Sequence, residues 1–298
     1  MSRPLEKQRI GFIGLGLIGR PMAEHLHAAG AEVVLYNRSH EVMDELAEQG
    51  MQPVANPAAV AHEVAEGILC LSLPRTESVE QVLIHDGMLE AIAPGTLVID
   101  FGTTSVAATR RFADLVARRG AAWVDAPVSG GQVGARAASL TIMAGGEITD
   151  YERACCIFTV VGAKSTHLGK TGSGQVAKLA NQLIVSQTID AVAQALAMSE
   201  AAGVDSGKVR EALRGGFAES RILELHGDRM VHRNFQPGGR AELQLKDVRL
   251  IVDLVTELGL DFPTLRNSLH QWETMVNERG LGALDHSGLF RLYVPEDR

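Results

Sequence analysis

The first half of the chain alternates short apolar, β-branched runs with stretches of helical spacing. Arg9–Ile13 (RIGFI), Glu32–Tyr36 (EVVLY), Ile68–Pro74 (ILCLSLP) and Thr96–Phe101 (TLVIDF) read as buried strands, because their interiors are almost continuously apolar. The run AAWVDAP and Leu140–Gly146 (LTIMAGG) extend the series. Between strands, Ile18–Ala29 has helical spacing and stops at Gly30, and Val106–Arg119 is closed by Gly120. Strands separated by helices of this length need right-handed crossovers, so the pattern predicts a mainly parallel sheet.

Near Gly169 the pattern changes. From Gly174 to about Ala202 the apolar positions Val176, Leu179, Leu183, Ile184, Ile189, Val192 and Leu196 follow a helical period. At 1.5 Å per residue this is a rod of roughly 45 Å. Further helices are expected at Ser206–Leu213, Glu219–His232, Ala241–Leu258 and Thr264–Glu278. The expected organisation is two domains, residues 1–168 and 169–298, the second all-helical and entered by the long helix. Its apolar spine invites self-association.

Composition narrows the partners. A 46% hydrophobic chain of 298 residues can build two cores, and its net charge of −8 argues against a nucleic-acid or anionic-membrane surface. No run approaches the ~18 apolar residues of a membrane span. The start, MSRPLEKQRI, is basic but lacks the apolar segment of a secretory signal. Cys70, Cys155 and Cys156 show no metal-ligand spacing, and a bridge between the adjacent pair would be strained. They read as buried small hydrophobes in a reducing cytoplasm.

The first candidate chemistry is Gly14, Gly16 and Gly19, a G-x-G-x-x-G run that follows a buried strand and opens a helix. Gly14 permits the tight turn, Gly16 lets a pyrophosphate approach the backbone, and Gly19 lets the helix pack on the sheet. The amides of Leu17 and Ile18 would face the pyrophosphate at the positive helix end. This context makes a dinucleotide site of the Rossmann type, a doubly wound sheet, the expected α/β fold for the first domain. The second strand ends in Asn37-Arg38-Ser39, where an NAD enzyme usually carries an acidic residue for the ribose 2′-hydroxyl. A guanidinium and a hydroxyl suit a 2′-phosphate, which favours NADP over NAD.

Asp125-Ala-Pro-Val-Ser129-Gly130-Gly131 leaves a strand through small residues whose amides can converge on an anion, with the Ser129 hydroxyl as a further donor. A substrate carboxylate is the natural guest. A lone helical lysine is ordinarily a solvated surface residue. Lys178 is singled out by its place behind both glycine loops, at the start of the long helix. Reduction of a carbonyl leaves a developing alkoxide that an ammonium can stabilise and protonate. In the oxidative direction the neutral amine would be the base, a form that partial burial favours. Asn181 and Gln182 follow at i+3 and i+4 on the same helical face and could orient the carbonyl.

These motifs, together with LSLP at Leu71–Pro74, IDFGTTS, GQVAKLANQ and QLKD at Gln244–Asp247, resemble the β-hydroxyacid dehydrogenase family over nearly the whole chain. The resemblance implies a dinucleotide domain followed by a helical domain, with Lys178 catalytic and Ser129, Gly130 and Gly131 binding the carboxylate. It implies that Leu73, Pro74 and Thr103 line the cofactor and that Lys246 reaches it from the helical domain. The family forms homodimers and homotetramers, so the resemblance also implies one of these assemblies. Many members carry Asn where this chain has Gln182. The KLANQ form, RGGFAES, RNFQPG and GLGALDHSGL resemble the members that reduce tartronate semialdehyde (2-hydroxy-3-oxopropanoate) to glycerate. Other family substrates are threonate, 3-hydroxyisobutyrate, glyoxylate and succinic semialdehyde. Imine-reducing relatives of the fold usually lack the lysine, as do relatives that serve as non-catalytic scaffolds, so Lys178 points to a hydroxyacid enzyme.

Overall fold

The structure, a computed structural model, describes residues 4–294. The first three residues of the basic N-terminal stretch lie outside that range. The chain forms two compact units, Met1–Lys178 and Leu179–Arg298.

In the first unit, β1 (Arg9–Ile13), β2 (Glu32–Tyr36), β3 (Gln52–Pro53), β4 (Ile68–Leu71), β5 (Leu97–Asp100) and β6 (Ala122–Asp125) form one sheet in the order β3-β2-β1-β4-β5-β6. Every pairing in it is parallel, with Ile13 opposite Tyr36 on one side and Leu71 on the other. The helices that connect or flank these strands are α1 (Gly19–Ala28), α2 (His40–Glu48), α3 (Pro57–Glu63), α4 (Thr76–Glu80), α5 (Met88–Ala91) and α6 (Val106–Ala117). Successive strand residues point to opposite faces. Phe12, Cys70 and Ile99 enter one core with Met22, Leu26 and Phe158, whereas Ile13, Leu71 and Val98 enter another with Phe112 and Trp123. Burial on both faces is why these strands are apolar without alternation.

The LTIMA run departs from expectation. It forms β8 (Leu140–Ala144) in a separate three-stranded sheet, antiparallel to β7 (Val128–Ser129) and parallel to β9 (Gly162–His167). Helix α7 (Gly131–Arg136) lies between β7 and β8, and α8 (Ile148–Val161) between β8 and β9. Of the cysteines, Cys70 is fully buried, whereas Cys155 and Cys156 are only half-buried; all three are free thiols.

Helix α9 (Ser173–Ala201) leads into the second unit. Leu179, Ile189, Val192 and Leu196 are buried along it, but Val176 and Ile184 are exposed, because the helix is apolar on more than one face. The unit continues with α10 (Ser206–Leu213), α11 (Arg221–Val231), α12 (Ala241–Glu257) and α13 (Pro263–Glu273). Helix α11 begins at Arg221 because the Ser220 hydroxyl accepts from the Leu223 amide at 3.0 Å and caps it. The last turn expected of α13 is instead a π-turn, Thr274–Glu278. Buried Asp285 holds the end of this unit together. Its carboxylate accepts from the amides of Gly238, Gly239 and Ser287 and pairs with Arg229 at 3.2 Å and His226 at 3.3 Å. No helix among the described residues is long and apolar enough to cross a membrane.

Candidate active site

The carboxyl ends of β1 and β4 flank the point where the strand order reverses, which is where open parallel sheets bind ligands. Gly14 adopts φ +97°, and a Cβ there would sit 2.4 Å from the Ser72 carbonyl oxygen. A Cβ on Gly19 would sit 1.9 Å from the Gly14 carbonyl oxygen. The protein's own packing therefore demands both outer glycines. Gly16 is different: a Cβ there meets nothing within 4 Å. That open space before the backbone, at the N-terminal end of α1 beside Leu17 and Ile18, is what a pyrophosphate requires. Gly102, just beyond β5, lies so close to Leu73 that a Cβ would be 2.7 Å from the Leu73 carbonyl. The loops carrying Leu73, Pro74 and Thr103 are thereby gathered at the same edge as the glycine turn.

The turn after β2 divides its labour. The Asn37 side chain accepts from the Leu15 amide at 3.0 Å and donates to the Ser39 carbonyl at 3.2 Å. It is a strut between the glycine loop and its own turn. Arg38 is exposed and makes no ion pair among the described residues. Ser39 occupies the N-cap of α2 but its hydroxyl makes no capping bond. A guanidinium and a hydroxyl thus stand at a positive helix end, an arrangement that fits a phosphate.

Ser129 pairs with Thr141 across β7 and β8, and its loop turns through Gly130 at φ +133° and Gly131 at φ +60°. Side chains strongly disfavour these conformations, so the glycines set the path of the loop. A Cβ on Gly131 would also meet nothing within 4 Å, which leaves its backbone open to a ligand.

The sequence reading treated Asp125 as the first residue of this loop and overlooked Gln175. Both are completely buried. One Asp125 carboxylate oxygen accepts from the Gly172 amide at 2.7 Å, the other from the Gln175 amide at 2.9 Å. Gln175 donates through Nε2 to the Gly102 carbonyl at 2.9 Å and accepts at Oε1 from the Thr104 amide at 3.1 Å. Burial pushes the Asp125 carboxyl up to about 6, against the opposing pull of the two amides. Lys178 lies one turn beyond Gln175 and is itself 7% exposed, not the solvated surface residue that composition favours.

Further along α9, Asn181 donates to Gln182 Oε1 at 2.8 Å. Gln182 is buried and donates to Asp247 at 2.5 Å and to Gln244 at 3.1 Å. Its amide is engaged within the helical unit and supports Asn181. Lys246, expected to reach a cofactor, pairs with Asp247 at 2.9 Å. The GLGALDHSGL stretch holds a further unforeseen pair. Burial and neighbouring His226 push His286 down to about 4, against the pull of Asp285 and Asp247.

A doubly wound sheet with an open glycine turn at its switch point, followed by a buried helical lysine, defines a nicotinamide dinucleotide-dependent oxidoreductase. Comparison with known proteins agrees. Residues 9–169 match the NAD-binding domain of 6-phosphogluconate dehydrogenase, and residues 172–293 match the NAD-binding domain of NADP-dependent 3-hydroxyisobutyrate dehydrogenase. The chain is 40% identical over 282 residues to 2-hydroxy-3-oxopropionate reductase of Escherichia coli K12, covering 94% of this chain and 95% of that one. It is 31% identical to 2-(hydroxymethyl)glutarate dehydrogenase of Eubacterium barkeri, over 96% of this chain and 94% of that one. A solved 3-hydroxyisobutyrate dehydrogenase of Mycobacterium tuberculosis with L-serine superposes with a TM-score of 0.86 at 27% identity, covering 96% of this chain and 99% of that one. The chain belongs to the β-hydroxyacid dehydrogenase family.

Proposed function

We propose that this protein reduces tartronate semialdehyde to glycerate with NADPH, Lys178 supplying the proton. The observation that carries the reading is a buried lysine on the first turns of α9, in a chain 40% identical over 282 residues to a 2-hydroxy-3-oxopropionate reductase. A nicotinamide dinucleotide held at the glycine turn would supply the hydride that the aldehyde carbon needs. The Lys178 ammonium stabilises the alkoxide that develops, gives it a proton, and is recharged from solvent. Ser129 and the backbone at Gly130 and Gly131 receive the substrate carboxylate, and Asn181, steadied by Gln182, orients the carbonyl. Leu73, Pro74 and Thr103 line the cofactor, and Lys246 serves it as the family resemblance implies. Arg38 and Ser39 read the 2′-phosphate and set the preference for NADPH.

The test is the initial rate with tartronate semialdehyde, followed at the nicotinamide absorbance with NADPH and with NADH. Saturable oxidation that favours NADPH is expected. No rate with either cofactor would remove the substrate assignment, and oxidation of threonate, 3-hydroxyisobutyrate and 4-hydroxybutyrate would then be compared. Lys178→Ala is expected to lower turnover roughly 10²–10⁴-fold while NADPH still binds. A variant that kept most of its activity would reject Lys178 as the proton donor.

A further inference from the structure

The buried carboxylate of Asp125 and the buried amide of Gln175 join three separate stretches of chain. Asp125 closes β6, and its backbone pairs with Gly145, just beyond β8, through bonds of 3.0 and 2.8 Å. Its carboxylate takes the amides of Gly172 and Gln175 at the start of α9. The Gln175 side chain then takes the loop after β5 at both ends, Gly102 and Thr104. That loop is held in turn by Asp100, which accepts from the Gly102 amide at 2.9 Å. Contact at this junction is close enough that a Cβ on Gly174 would lie 2.4 Å from the Met143 carbonyl oxygen and 2.6 Å from that of Asp125. Helix α9 therefore starts with no freedom to slide or to turn about its axis.

This matters one turn later, at Lys178. Side chains reach about 5–6 Å from a helix axis, so a rotation of about 10° moves a side-chain tip by about 1 Å. A misplacement of that size can cost on the order of 10²-fold in rate. A carboxylate that accepts from two amides three residues apart, one on each oxygen, fixes rotation as well as height, which a single cap would not. We infer that Asp125 and Gln175 are positioning residues, a clasp that sets the reach and orientation of Lys178 relative to the loops of the dinucleotide unit. The inference rests on Lys178 being the proton donor.

The experiment uses the full chain. Asp125→Asn and Gln175→Met are made singly and in the Lys178→Ala background, and kcat, KM for tartronate semialdehyde and the NADPH dissociation constant are measured for each. Asparagine turns an N–H toward one of the two backbone donors, and methionine keeps the backbone bond to Asp125 while removing both side-chain bonds. Each single variant is expected to lower kcat roughly 10–100-fold with KM and NADPH affinity within about twofold. In the Lys178→Ala background neither is expected to lower kcat further, because a residue that acts only through Lys178 has nothing left to position. A loss that multiplies undiminished in that background would overturn the inference and show a general structural role. So would a kcat within twofold of the parent for Gln175→Met, which decides the matter if Asp125→Asn does not fold. Retention of most activity in Lys178→Ala itself would instead overturn the proton-donor reading. The two failures are thus distinguishable.

Discussion

Arg38 and Ser39 differ from Asn37 although the three are consecutive. Asn37 is committed to Leu15 and Ser39, while the Arg38 guanidinium and the Ser39 hydroxyl face outward at the start of α2. Replacing Arg38 by Ala is expected to weaken NADPH binding by roughly 10- to 150-fold, the ~1.5–3 kcal/mol of a hydrogen bond to a charged group. Because Arg38 is exposed, the lower end is the better expectation. Binding of NADH, which lacks the phosphate, should be unchanged; fluorescence titration of both cofactors checks this, and equal losses would reject the assignment. The glycines were legible in the sequence because their requirement is local, a turn and a helix start within six residues. Asp125 was not, because its acceptor role depends on amides 47 and 50 residues away. The engagement of Gln182 with Asp247 was hidden for the same reason, with 65 residues between the partners.

At the level of elements, β1 and β2 fall on the residues that the apolar runs predicted, since burial on both faces leaves an uninterrupted hydrophobic signal. Helix α8 and strand β9 were missed. The helix opens on the mixed run ITDYER and ends in β-branched residues that run into GAKSTH, so neither period stands out. The strand LTIMA was recognised but placed in the wrong sheet, because a period of two tells which residues are extended and not which partner they pair with. Helix ends were read best where a cap exists. Ser220 stops α11 from starting at Glu219, and its hydroxyl satisfies the Leu223 amide. Ser220→Ala is expected to cost about 1 kcal/mol of stability, and Ser220→Gly only a few tenths. Urea midpoints of the two variants against the parent would show it, and equal midpoints would mean that the cap contributes nothing.

Across the whole molecule, the two units carry buried groups that respond to acid with opposite signs. His286 is held near 4 in the helical unit, below its ordinary 6.5. Its contribution to stability is complete above pH 6.5 and is lost as pH falls toward 4, on the order of 3 kcal/mol in all. Asp285 acts in the same direction at lower pH. Burial opposes its charge, but the bonds from His226 and Ser287 hold its carboxyl well below the usual carboxylate range. Asp125, raised from 3.8 to about 6, works the other way: its term is complete below 3.8 and is lost as pH rises through 6. The measurement is unfolding free energy from pH 8 to 4 for the parent and for His286→Gln. Their difference should shrink as pH falls below 6.5; a constant difference would exclude the histidine. Saturating cofactor offers a second check. NADPH at 100 times its dissociation constant should stabilise the protein by about 2.7 kcal/mol, a rise in Tm that NADH at equal concentration should not match.

The clasp at the start of α9 also decides where this chain can be cut. The compact dinucleotide unit runs on to Lys178, within the first turns of α9. A chimaera that joins this dinucleotide unit to a foreign helical partner at residue 169 would hand the Gln175 position to the foreign chain, and any residue other than Gln there loses both side-chain bonds to the loop after β5. Carried through Lys178, the same graft would keep every bond of the clasp. The natural seam for recombination is therefore inside a helix, one turn past the residue that locks it.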